Sequence, residues 1–193
     1  MWIIYLTISI IVIRIRSMND KDKIQTPLHS FLLPAYNEIP DVGLYLDQVT
    51  KYINGWLNDF PEMQVTPSMI ANYVKLKLVS KATKKAYSRE QIAYFIFIAM
   101  AKTVLSMDHI RLVFSLQCRQ CSPEQGYEYF RKDLQAVLST FYSPSVREAG
   151  NERRNTEEKR MVHNVCVTIA HKMYLDRYFD QADVPAAESG KEE

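Results

Sequence analysis

Apolar residues recur along most of this chain at spacings of three and four, the period of a helix with one buried face. After Pro40 and Asp41, the residues Val42, Leu46, Val49, Ile53 and Trp56 follow that rhythm and predict a first amphipathic helix ending near Asn58. Thr66 is placed to cap a second, short helix with Pro67 at its first position. Ile70, Tyr73 and Val74 form its inward face before it closes near Leu78. Ser88 with Gln91 is a capping box opening a third helix. Its unbroken apolar run, Ile92 to Ala101, needs cover on most sides yet is too short to cross a bilayer. Ser106 caps a fourth helix carrying Ile110, Val113 and Phe114, with Asp108 at its positive end. Ser122 and Pro123 open a fifth, with Tyr127, Phe130, Leu134, Val137, Leu138 and Phe141 on one stripe. Residues 143–155 hold Pro144, Gly150 and scattered charges and read as a loop. A last helix from about Thr156 to Phe179 then places Val162, Val165, Ile169 and Met173 on one side. That face must pack on its own domain or on a second chain.

Between the second and third helices, residues 80–87 are rich in lysine and long enough for a small hairpin or wing. The expected fold is therefore mainly α, with a small β wing and additional C-terminal helices. The expected organisation is an N-terminal segment at 1–32, a DNA-reading domain at 33–117, a C-terminal helical region at 118–182 and a disordered acidic tail at 183–193. Residues 2–13 are almost wholly apolar but well short of the roughly 20 that a membrane span needs. Arg14 and Arg16 follow that stretch, where a secretory signal wants its charge in front. Met18 begins a polar stretch resembling an ordinary amino terminus, so residues 1–17 read as an over-extended start. The alternative is a membrane-touching anchor.

Composition narrows the class. With 47% apolar residues, 24% charged residues and only five glycines, the chain is neither disordered nor collagen-like. Three cysteines are an odd number with no pairing framework, which favours a reducing compartment and a cytoplasmic location. The formal charge of +2 matters less than its distribution. From Thr66 to Arg89 the ionisable side chains are Lys75, Lys77, Lys81, Lys84, Lys85 and Arg89, with no Asp or Glu among them. A lysine run alone is most simply a solvated face. Here it coincides with a short helix whose other face, Ser68, Ala71, Asn72 and Lys75, is small or polar.

The stretch Gln64–Val79, QVTPSMIANYVKLKLV, resembles the second helix of the MerR-type winged helix-turn-helix family, which reads like GVSPRTIRYYERIGLL. Val65, Pro67, Ile70, Tyr73 and Leu78 coincide, and Thr66 stands for the capping serine. Ala86–Ile110 is similar to that family's wing end and following helix starts. Leu33–Val49, together with TPSMIANYVK and YSREQIAY, is similar to bacterial proteins, mainly from Firmicutes, grouped as domain-of-unknown-function family 1836. The resemblance implies a MerR-like DNA-binding domain but supplies no activity, operator or effector. The chain departs from the MerR pattern at Ala71, Asn72 and Lys77, where arginine, tyrosine and glycine are usual, and in a longer segment between the first two helices. Lys77 must therefore accept a left-handed backbone or end the helix differently.

The expectation is a transcriptional regulator that binds double-stranded DNA, with no cofactor, acting as a homodimer. Its candidate contacts are Thr66, Ser68, Asn72, Tyr73, Lys75, Lys77, Lys81, Lys84, Lys85, Tyr87 and Arg89. Asn can pair with adenine in a major groove, and lysines beside it suit phosphates. Two other classes remain open. One is a metal or redox sensor using Cys118, Cys121, His163 and Cys166, a possible Cys3His set. The other is a helical adaptor that binds only protein. An enzyme is not expected. Phosphate-loop, nucleophile-elbow and H-E-x-x-H motifs are absent, and His29, His109, His163 and His171 lie far apart with no obvious acidic partner.

Overall fold

The run Ile92–Ala101 becomes the axis around which the other elements gather. The computed structural model describes residue 28, residues 30–117, 121–141 and 156–181. The N-terminal apolar stretch, Cys118, the 143–155 loop and the acidic tail lie outside the described residues. Within them the chain is mainly helical. A 3-10 turn at Tyr36–Glu38 precedes β1 (Leu44–Tyr45) and α1 (Leu46–Trp56). A second 3-10 turn at Pro61–Met63 leads to α2 (Pro67–Lys75), β2 (Ala86–Tyr87) and α3 (Arg89–Ala101). Then come α4 (Met107–Gln117), α5 (Pro123–Ser139) and α6 (Glu157–Gln181). None of the described helices is long and apolar enough to cross a membrane.

The caps expected from sequence are in place. Ser88 accepts from the Gln91 N–H, and the Gln91 side chain accepts from the Ser88 N–H at 2.9 Å. Ser122 and Gln125 repeat the device at α5, and the Ser106 hydroxyl accepts from His109 N at 3.2 Å at α4. Every residue from Phe95 to Ala101 is buried. A helix apolar all round is stable only when enclosed. Here α1, α5 and α6 pack directly on α3. Phe97 meets Phe130 of α5 edge-on at 4.9 Å, and Tyr87 meets Phe95 edge-on at 5.3 Å.

The inward face expected for α6 is confirmed, and it is used inside the chain. Val162, Val165, Ile169 and Met173 are buried with Cys166 and Ala170, mainly against α5. Burying such side chains stabilises by about 1.5–3 kcal/mol each, against at most about 1 kcal/mol for an exposed ion pair such as Arg160–Glu157. The C-terminal helices thus share one core with the rest, running from Leu28 to Met173.

The first helix starts later than its periodicity suggests. Val42 is 72% exposed, Leu44–Tyr45 is a strand, and helix begins only at Leu46. The spacing of Val42 and Leu46 imitates a helical turn. What decides the outcome is pairing: Leu44 faces Tyr87 and Tyr45 faces Ala86 in an antiparallel ladder that a single sequence window cannot reveal. Gly43 permits the approach, since a Cβ placed there would lie 2.7 Å from the Ala86 Cβ.

The segment before β1 is fastened to α5. The Tyr127 hydroxyl donates to the Pro34 carbonyl at 2.8 Å, and Tyr36 N donates to Glu128 Oε1 at 2.8 Å. Hydrogen bonding from Arg131 at 2.8 Å, with the Tyr36 N–H and Lys132 adding to it, holds the Glu128 carboxyl at about 2.

Two outcomes are expected. Gly43→Ala forces the strands apart and lowers stability by about 1–3 kcal/mol, which denaturant unfolding checks; the parental midpoint would contradict the close approach. Glu128 has a folded pKa below its ordinary 4.5, so its contribution is present above that value and fades as pH falls toward 2. Glu128→Gln should therefore lower stability at neutral pH by about 1–2 kcal/mol and flatten the acid limb of the stability curve over that window.

Candidate nucleic-acid interface

Helix α2 is set by bonds at both ends. Asn54 of α1 grips Val65 twice, donating to its carbonyl and accepting from its N–H, each at 2.8 Å. Lys102 Nζ donates to the Gln64 carbonyl at 2.5 Å. The next residue after Val65, Thr66, caps the helix by accepting from Met69 N at 3.2 Å, with Pro67 at the first helical position. Ile70 and Tyr73 point into the core, while Ser68, Ala71, Asn72 and Lys75 are exposed on the opposite face.

The far end resolves the question raised by Lys77. Lys77 has a φ of 58°, its N–H bonds to the Val74 carbonyl, and Leu78 N bonds to the Tyr73 carbonyl, both at 3.0 Å. This pair of bonds is a Schellman motif with lysine at the position glycine usually takes. Leu78 and Tyr73, which such a motif brings together, are both buried. From α4, Arg111 Nη2 donates to the Leu76 carbonyl at 3.0 Å and satisfies one more group at this terminus.

The expected wing is a small hairpin. Thr83 and Ala86 exchange both backbone hydrogen bonds, at 3.0 and 2.9 Å, around Lys84 and Lys85. Those two residues have φ of 51° and 67°. Positive φ at both central positions defines a type I′ turn, which Asn-Gly would occupy with least strain. Two consecutive lysines there hold a costly backbone and carry two exposed charges at the tip. The hairpin is tied down by Gln91, which is buried and whose Nε2 donates to the Ser80 carbonyl at 2.8 Å, the Ser80 hydroxyl at 3.0 Å and the Lys81 carbonyl at 3.2 Å.

Among the residues singled out from sequence, Thr66, Ser68, Asn72, Lys75, Lys77, Lys81, Lys84 and Lys85 are exposed. The side chains of their five lysines make no hydrogen bond or ion pair among the described residues. Elsewhere Arg111, Arg131, Lys132, Arg160 and Lys172 each meet a carboxylate. Three expected contacts belong to the fold instead. Tyr73 is 3% exposed, burial pushes its phenol up to about 12, and its hydroxyl has no partner among the described residues. Tyr87 is buried against Phe95. Arg89 donates to the Ile39 carbonyl at 2.8 Å, lies 3.9 Å from Asp41 and covers the Tyr36 ring. Asn54, Gly43, Gln91 and Arg111 position this surface, and sequence reasoning does not find them in that role. For Gln91 the only sequence signal is its capping-box place.

The cysteine and histidine set is not assembled as a ligand cluster among the described residues. Cys118 lies outside them. Cys166 is buried with its thiol toward the Phe130 carbonyl at 3.7 Å. His163 does have an acidic partner, contrary to the expectation from sequence: its Nδ1 is 2.8 Å from Asp133 Oδ2, joining α6 to α5. Helix pairing brings these two together across thirty positions of chain.

No curated protein and no solved structure matches the chain. A family model does, over residues 34–130, from the segment held by Tyr127 through the hairpin to the middle of α5. On that match, which covers half the sequence, the chain belongs to the family described as Domain of unknown function (DUF1836).

Proposed function

We propose that this chain is a DNA-binding transcriptional regulator of winged helix-turn-helix type, resembling the MerR reader. In this reading the outward face of α2 enters the major groove, and the Thr83–Ala86 hairpin lies on the phosphate backbone. The observation that carries it is the pair of left-handed lysines at the hairpin tip. Backbone strain is retained where the surroundings over-determine it, and such positions cluster at functional sites. A turn that spends conformational energy to project two unpaired cations beside a polar helix face suits a polyanion better than water alone. Asn72 is placed to pair with an adenine edge, and Lys75 with guanine or phosphate. Lys81, Lys84 and Lys85 supply sequence-independent attraction. Such a reader works in the cytoplasm and normally uses two copies for two half-sites. Because α6 spends its apolar face within the chain, a homodimer would form through another surface.

The two parts of the interface should fail differently. Asn72→Ala is expected to cost about 1–3 kcal/mol at the preferred sequence and little on random duplex. Replacing Lys81, Lys84 and Lys85 with alanine should weaken binding to every duplex and flatten the log-log salt slope by about 0.9 for each phosphate no longer neutralised. Fluorescence anisotropy across a salt series measures both, and no duplex binding by the parent at low salt would overturn the proposal. A stability assay adds a contrary sign. Changing Lys84 to Asn and Lys85 to Gly should raise stability by about 1–2 kcal/mol by relieving the turn, while reducing duplex affinity. A variant more stable and equally tight would show that the lysines do not touch DNA.

A further inference from the structure

A cleft opens between α3, α4 and the first half of α5, away from the residues assigned to DNA. Counted out to its mouth it encloses about 430 Å³, within the range of small-molecule sites. Its walls are aromatic: Tyr94 and Phe97 of α3, Phe114 of α4, Tyr127 and Phe130 of α5. These rings meet edge to face, Tyr94 with Phe114 and Phe97 with Phe130, each at 4.9 Å. The one ionisable carboxylate on the lining is Glu90, in the first turn of α3. Glu90 is exposed, and its side chain makes no hydrogen bond or ion pair among the described residues. Its neighbour Arg89 cannot neutralise it, being engaged with the Ile39 carbonyl, Asp41 and Tyr36.

Aromatic walls offer negative ring faces that attract a cation, and an unpaired carboxylate at the rim adds a full counter-charge. The same walls exclude strongly hydrated ions, whose water they cannot replace. We infer that this cleft binds a small organic cation with an apolar body, a quaternary or protonated amine, with Glu90 as its counter-charge. The site stands independently of the DNA reading, because none of its residues belongs to that surface.

The test titrates the full chain with benzyltrimethylammonium and with neopentylbenzene, its uncharged isostere, followed by ligand-observed magnetic resonance. Saturable binding is expected, with the cation favoured by about tenfold or more. Glu90→Gln should bring the cation down to the affinity of the isostere while leaving the isostere unchanged. Ala93→Leu, which fills the cleft from α3, should remove both. Circular dichroism checks that the variants fold, and should Ala93→Leu fail to do so, Glu90→Gln decides alone. Equal affinity for the two probes, no saturation by ~10 mM, or a cation affinity untouched by Glu90→Gln would each overturn the inference.

Discussion

A helix that is apolar on every side is tolerable in water only when other elements enclose it, and α3 makes that demand of the whole molecule. The ring stack of Tyr87, Phe95, Phe97 and Phe130 shows how the demand is met, with β2 covering one flank and α5 another. Because the first turn of α3 also carries Gln91, enclosing the core and fixing the hairpin become one event. The polar surface is therefore not an appendage. Its position follows from how the apolar run is buried, and a change that loosens α3 would reach the lysines through Gln91.

Much of the fold is legible in the chain because helix signals are local. A capping serine, a glutamine three residues on and a 3.6-residue period all fall within one short window, so α3, α4 and α5 can be placed from their own residues. Thr66–Pro67 announces α2 for the same reason. The strand at Leu44–Tyr45 cannot be read that way, since its partner lies beyond two helices and its apolar spacing fits a helix equally well. The Asp133–His163 contact and the double grip of Asn54 on Val65 are likewise products of tertiary proximity. For the candidate surface, charge segregation and the outward polar face are visible along the chain, whereas the aromatics are overcounted there. Tyr73 and Tyr87 are amphipathic side chains whose burial depends on which face the backbone turns inward.

The residues that break local rules are concentrated in one region. Lys77, Lys84 and Lys85 take positive φ, and Tyr73 buries a hydroxyl with no partner among the described residues. Each departure costs on the order of 1–2 kcal/mol, a large share of the stability margin of a domain this size. The core elsewhere follows its rules closely, with caps satisfied and rings packed edge to face. Local inconsistency set in a consistent frame is the pattern expected where selection has acted on something other than stability.

The tightness of the Thr83–Ala86 turn has a consequence for how the chain meets proteases. Lys84 and Lys85 form the dibasic tip of an exposed loop, the kind of place where a trypsin-like enzyme cuts first. Such an enzyme takes its substrate as an extended strand, whereas these residues are curled into two successive left-handed conformations with both flanking hydrogen bonds closed. Cleavage must wait for the hairpin to open. When reclosing is faster than cutting, the nicking rate reports how often this element leaves its folded position. The tip thus acts as a built-in clock for local unfolding at the one place where the molecule is most strained.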